Sequence, residues 1–235
     1  MADEKIVLRE SDDRGRAGFG WLESRHTFSF GDYHDPSHTG FRSLRVINED
    51  RVQPGKGFGA HAHRDMEIIS YVVEGELEHK DSMGNGSVIS AGCFQKITAG
   101  TGITHSEFNP SVNKIVHFLQ IWILPRERGL TPSYSELDLS GQAADTGLRL
   151  VASPRKEKGT ILINQDVMIY SGRLNSVSVN YHVDDHRGLW FQMISGRCSV
   201  NGQALSAGDG LSVEGFQDVA ISAEESGEFI LFDMK

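Results

Sequence analysis

Short runs of β-branched and aromatic residues, broken at regular intervals by glycine turns, constrain this chain more than any other feature. Ser43-Leu44-Arg45-Val46-Ile47, Ile68-Ile69-Ser70-Tyr71-Val72-Val73, Val116-His117-Phe118-Leu119-Gln120-Ile121-Trp122-Ile123 and Phe229-Ile230-Leu231-Phe232 have the length and composition of strands. Between such runs lie turn signals at Glu49-Asp50, Glu74-Gly75, Gly84-Asn85-Gly86, Ala91-Gly92, Asn201-Gly202 and Gly208-Asp209-Gly210. That spacing suits a sandwich or barrel, and 26 glycines supply the turns. The chain therefore reads as all-β. Long amphipathic helical patterns are missing, and only a few short helices are expected near a domain junction, for instance over 133–139.

The pattern also repeats. Glu74-Gly75-Glu76-Leu77-Glu78 leads through a turn at Asn85-Gly86 to Val88-Ile89-Ser90-Ala91-Gly92, and Ser195-Gly196-Arg197-Cys198-Ser199 leads through Asn201-Gly202 to Ala204-Leu205-Ser206-Ala207-Gly208. Two similar β-barrels follow, residues 1–130 and 131–235, with the join between Pro125 and Ser133. Either is large enough to bury a core.

Two residue pairs carry the chemistry. In a strand, side chains two apart share a face. His61 and His63 should thus project together, and so should His105 and Glu107. Three imidazoles and a carboxylate from neighbouring strands can close around one divalent metal and leave positions open for water, O2 or a substrate. Such a donor set, with no thiolate, suits Fe, Mn, Ni, Cu or Zn. A single HxH among ten histidines would pass for a chance surface pair; two pairs flanked by glycine turns favour a metal site. Counting from Gly75 and Gly196, His61 falls on His182 and His63 on Asp184. Counting from Gly92 and Gly208, His105 and Glu107 fall near Ile221 and Ala223, which cannot ligate. The second barrel is expected to keep the scaffold without the metal, with His182, Asp184, Asp185 and His186 a solvated loop. His26, His34, His38, His79 and His117 show no partner at ligand spacing.

Composition limits the remaining classes. A net charge of −9 argues against direct binding of nucleic acid, which would need a basic face, and no apolar run reaches membrane-spanning length. Cys93 and Cys198 stand too far apart to suggest a disulfide framework and read as small buried hydrophobes. A cytoplasmic monomer is expected.

Gly55-x5-His61-x-His63-x3-Glu67-x7-Gly75 resembles the first cupin motif, and Gly92-x5-Thr98-Ala99-Gly100-x4-His105-x3-Asn109 resembles the second, with Thr98 where many cupins carry proline and two extra residues before the histidine. Gly20 to Phe30 (GWLESRHTFSF), Ser43 to Asp50 (SLRVINED), His61 to Ile68 (HAHRDMEI) and Thr98 to Glu107 (TAGTGITHSE) are similar to the pirin family, densely from Arg14 to Ile123 and more loosely beyond. The resemblance is strongest to bacterial pirin-like quercetin 2,3-dioxygenases. It implies a bicupin of two jelly-roll-type barrels with one metal in the N-terminal barrel, held by His61, His63, His105 and Glu107. Fe(II) is the first expectation, with Mn, Ni, Co, Cu or Zn as alternatives. Glu67 stands where some other cupins have a ligand and is read equally as a supporting or a purely structural carboxylate.

The implied activity is cleavage of quercetin or a related flavonol by O2, releasing carbon monoxide, with the metal as Lewis acid and Glu107 as general base. A second reading implied by the resemblance is a non-catalytic metal- or redox-sensing regulator that binds a protein partner. Phe58, Phe118 and Trp122 could line a flat cleft, although plain core is the expectation for each; Trp21, Phe28, Phe30 and Tyr33 are expected to pack over the barrel.

Overall fold

In the computed structural model the described residues are 3–140 and 147–235. The alternating runs form strands throughout. They are β1 Lys5–Arg9, β2 Gly15–Gly18, β3 Leu22–His26, β4 Leu44–Val52, β5 Gly57–His63, β6 Glu67–Glu74, β7 Glu76–Asp81, β8 Gly86–Ser90, β9 Cys93–Thr98, β10 Ile103–Phe108, β11 Val116–Ile123 and β12 Ser133–Asp138. After these come β13 Gly147–Ser153, β14 Ile161–Leu162, β15 Val167–Asn175, β16 Ser178–His182, β17 Gly188–Val200, β18 Gln203–Ser206, β19 Gly210–Glu214, β20 Asp218–Ser222 and β21 Ser226–Met234. A single 3-10 turn at Ser11–Asp13 is the helical content among the described residues, and no helix is long and apolar enough to cross a membrane.

The chain divides into two compact units, one of Gly15–Gly141 and one of Met1–Arg14 with Gln142–Lys235. These bounds differ from 1–130 and 131–235 at both ends, and strand pairing is the reason. β1 pairs antiparallel with β19, Lys5 opposite Glu214 and Arg9 opposite Gly210, and lays Ile6 and Leu8 on the core of the second unit. β12, expected as a helix over 133–139, is a strand that pairs with β9, Ser133 opposite Thr98 and Asp138 opposite Cys93. Open backbone hydrogen bonds along β9 outweigh the local helical preference of this short polar segment.

The first unit consists of a seven-stranded sheet, ordered β12-β9-β6-β11-β4-β3-β2, and a four-stranded sheet, β5-β10-β7-β8. Leu22, Val52, Val72, Leu77, Ile89 and Phe118 form one buried cluster of its core, and Ile68, Ile97, Ala99 and Ile103 another. Gly75 makes the turn from β6 to β7 at φ +81°, where a Cβ would lie 2.5 Å from the Ile115 carbonyl oxygen, so only glycine fits. The second unit is a ten-stranded sheet system around Leu189, Phe191, Leu211, Val213, Phe229 and Leu231. Cys93 and Cys198 are buried and unbridged, and burial raises both thiols, that of Cys198 to about 11, so neither is a reactive thiolate at neutral pH.

Glu67 is held in a buried ion pair. It is fully buried on β6 and lies 3.0 Å from Lys96 Nζ on β9, itself in contact with Thr98 Oγ1. Removing one partner of a buried ion pair strands the other charge. Lys96→Met should therefore lower unfolding free energy by about 3–5 kcal/mol, measured by denaturant titration.

Candidate metal centre

β5 and β10 run antiparallel with His61 opposite His105 and His63 opposite Ile103. The ring centroids of His61, His63 and His105 are 4.5–5.0 Å apart, and one nitrogen from each falls within 4.8 Å of the others. The three histidine positions read from the spacing therefore meet.

Glu107 does not join that cluster. The register slips between His105 and Glu107, so Glu107 sits opposite Phe58. A bulge of this kind re-aims the side chains on either side of it. Gly57 allows the strands to close there, since a Cβ would lie 2.2 Å from the Glu107 carbonyl oxygen. The Glu107 carboxyl groups instead with His105 and His79, all three buried. His105 is common to both groups.

His79 was missed because its partners lie on strands distant in sequence. β7 flanks β10 on its other edge, with His79 opposite Glu107 and Asp81 opposite His105. The alternation His79-x-Asp81 was the available signal. The His79 Nε2–H donates to Asp81 Oδ2 at 3.2 Å, leaving Nδ1 to face His105 Nδ1 at 3.5 Å. Burial pushes the Asp81 carboxyl up, yet hydrogen bonds from Asn85 and His79 outweigh it and hold the group below the usual carboxylate range. With His79 Nδ1 as acceptor, His105 carries its proton on Nδ1 and presents a lone pair at Nε2. Likewise the His61 Nδ1–H donates to the Gly59 carbonyl at 2.8 Å and leaves Nε2 open. Such outer partners fix the ring and tautomer of a ligating histidine.

The donor set fits a divalent cation. His105 Nε2 is buried with no hydrogen-bond partner within the protein, a state that costs about 1–3 kcal/mol and that coordination relieves. Burial, with the neighbouring imidazoles, lowers His63 to about 4 and His105 to about 3. Both are neutral near pH 7, the form a metal needs. His79→Phe, which breaks the link to Asp81, should weaken Ni(II) binding by about 10–100-fold, measured by competition with a chelator.

Glu107 is completely buried. Ser70 Oγ donates to its Oε1 at 3.1 Å, Gln95 Nε2 to Oε1 at 2.7 Å and Gln120 Nε2 to Oε2 at 2.7 Å. Desolvation prevails over these bonds and, with nearby Asp50, lifts the carboxyl to about 7. Asp50, on β4, is lifted to about 7 as well, by burial against a hydrogen bond from Ser24 and with Glu49 adding to the rise.

A cavity of about 550 Å³ lies between the two sheets of this unit, with His61 and His63 in one wall and Ser24, His26, Asn48, Asp50 and Gln120 in the other. Phe30, Tyr33, Phe58 and Trp122 supply its apolar surface. The expectation of plain core thus holds for Phe118, which is fully buried, while Phe58 and Trp122 pack against the core and also line the cavity. His117 is a buried histidine bonded to Glu49 Oε1 at 2.9 Å. His26 bonds Asn48 Oδ1 at 2.8 Å and stacks on Phe30.

In the second unit, His182 faces Asp218 at 3.1 Å, and both are well exposed. Among the described residues, the groupings able to hold a metal lie in the first unit.

Residues 8–123 match the pirin family profile, and residues 150–234 match the one described as the quercetinase C-terminal cupin domain. The chain is 44% identical over 230 residues to the quercetin 2,3-dioxygenase of Escherichia coli K12, covering 97% of this chain and 98% of that protein. The crystal structure of YhhW from Escherichia coli superposes with a TM-score of 0.95 at 44% identity, covering 98% of each chain. That of the bacterial pirin YhhW in complex with nickel(II) gives 0.94 at 43% identity, covering 98% of this chain and 99% of the other. With its histidine cluster in the first of two cupin units and likeness over nearly its whole length, this chain belongs to the pirin family and has the bicupin fold.

Proposed function

We propose that this protein is a metal-dependent dioxygenase of the quercetin 2,3-dioxygenase type, acting on quercetin or a related flavonol with O2. The observation that carries the reading is His105 Nε2, buried and unpartnered, converging with His61 and His63 on a cavity large enough for a flat tricyclic ligand. Relatives of this chain bear the activity by name, and one is known with nickel(II). His61, His63 and His105 are read as the ligands, and Glu107, which shares His105 with them, as the fourth. A bound divalent metal would supply Lewis acidity toward the flavonol 3-hydroxyl and hold that group near O2. Fe(II) is the first candidate, because nitrogen and oxygen donors accept all first-row ions and availability then decides.

Glu107 is the proton acceptor for the 3-hydroxyl. Its carboxyl sits near 7, the range in which a general base is both unprotonated and strong enough at neutral pH. Gln95, Gln120 and Ser70 aim their donors at the two carboxylate oxygens, fixing its orientation before substrate arrives. Phe58 covers an apolar face of the ligand. The second unit is read as a scaffold.

The test is anaerobic purification with elemental analysis, then O2 uptake with quercetin. One metal per chain and O2 consumed in step with quercetin are expected. A protein without stoichiometric metal, or one that leaves quercetin intact, overturns the proposal.

A further inference from the structure

Two residues of the cavity wall each carry a buried polar atom that nothing in the protein satisfies. Asp50 Oδ1 and the Trp122 Nε1–H are buried and have no hydrogen-bond partner within the protein, and both residues line the cavity. Asp50 is 3% exposed. It lies on β4 and Trp122 on β11, strands that pair directly. The Trp122 ring is held edge-on to His63 at 4.9 Å and to Phe30 at 5.4 Å between centroids, so the indole stands beside the histidine cluster. An acceptor and a donor left unmatched in a wall are costly in the empty protein, and a ligand that completes them recovers that cost.

We propose that Asp50 and Trp122 are the specificity-determining residues of the cavity. A ring hydroxyl of the ligand donates to Asp50 Oδ1, and an oxygen common to all flavonols accepts from the Trp122 Nε1–H. The site therefore selects a polyhydroxylated flavonol over the same skeleton bearing only the 3-hydroxyl. This deepens the flavonol reading above and rests on it. A site built to bond a hydroxyl discriminates strongly against an analogue that lacks it, because the buried acceptor is then left unpaired.

The experiment measures equilibrium binding to the nickel-loaded protein without O2, using quercetin and 3-hydroxyflavone, for the wild type, Asp50→Leu, Asp50→Ala and Trp122→Phe. Nickel content is checked for each. Both Asp50 variants should weaken quercetin by about 10-fold and leave 3-hydroxyflavone within about 2-fold, the first keeping the side-chain volume where the second opens space. Trp122→Phe should weaken both ligands alike. Equal losses for the two ligands in the Asp50 variants, or no loss, overturn the assignment while wild-type turnover of quercetin leaves the enzymatic reading standing. A wild type that binds neither flavonol removes that reading and this assignment together.

Discussion

His105→Ala should abolish stoichiometric metal binding and, with it, quercetin-dependent O2 uptake. Of the three clustered histidines it is the buried one at 1% exposure, and its Nε2 has no alternative partner. Loss of an outer hydrogen-bond partner alone lowers metal affinity about 10–100-fold, so loss of the ligand should cost at least about 100-fold. The measurement is nickel or iron content after dialysis against a weak chelator, with circular dichroism to confirm the fold. A variant that keeps one metal per chain would move the site elsewhere.

Glu107→Gln should separate turnover from metal content. The amide keeps the shape, and its oxygen in the Oε1 position can still accept from Ser70 and Gln95 while the bond from Gln120 is lost, but it takes no proton, so kcat should fall by about 10²–10⁴-fold. Metal content should fall far less. In the wild type, activity should rise with pH as the carboxyl ionises, with the midpoint at or below about 7, since a neighbouring cation favours the ionised form. In the metal-free protein the same group shapes stability. Its folded-state value lies above the 4.5 of an ordinary glutamate, so the native state holds a proton that the unfolded chain has released. Stability from Glu107 is complete below pH 4.5 and is lost as pH rises through about 7. Glu107→Gln removes that loss, and the variant should gain up to about 3 kcal/mol on the wild type between pH 4.5 and 8. Denaturant unfolding at several pH values checks the sign.

The strands and the three-histidine cluster were legible because both obey a period of two along the chain. His61 and His63, and the inward direction of His105 and Glu107, follow from that period alone. The displacement of Glu107 toward His79 does not, because a slip in register between β5 and β10 is a property of the pair, invisible in either strand. His79 and Asp81 escaped for a related reason: they join the site across β7 and β10, and pairing between strands leaves no mark on either sequence. The segment 133–139 failed differently. A short edge strand with a single partner needs only a weak apolar alternation, and Ser-Tyr-Ser-Glu-Leu-Asp offers little. Gln120 sits on a strand whose existence was plain, whereas Glu49-Asp50, read as a turn, lies inside β4; polar residues facing an interior look the same in sequence as polar residues facing water.

The pairing of β1 with β19 sets an order on synthesis. Lys5 meets Glu214, so β1 leaves the ribosome and waits for a strand made much later. At about 5–20 residues per second the wait is roughly 10–40 s. During it Ile6 and Leu8 have no native surface to cover, and a chain cut short before β19 never provides one. Synthesis of β19, rather than collapse of the leading segment, thus closes this unit and seals an edge that would otherwise recruit foreign strands.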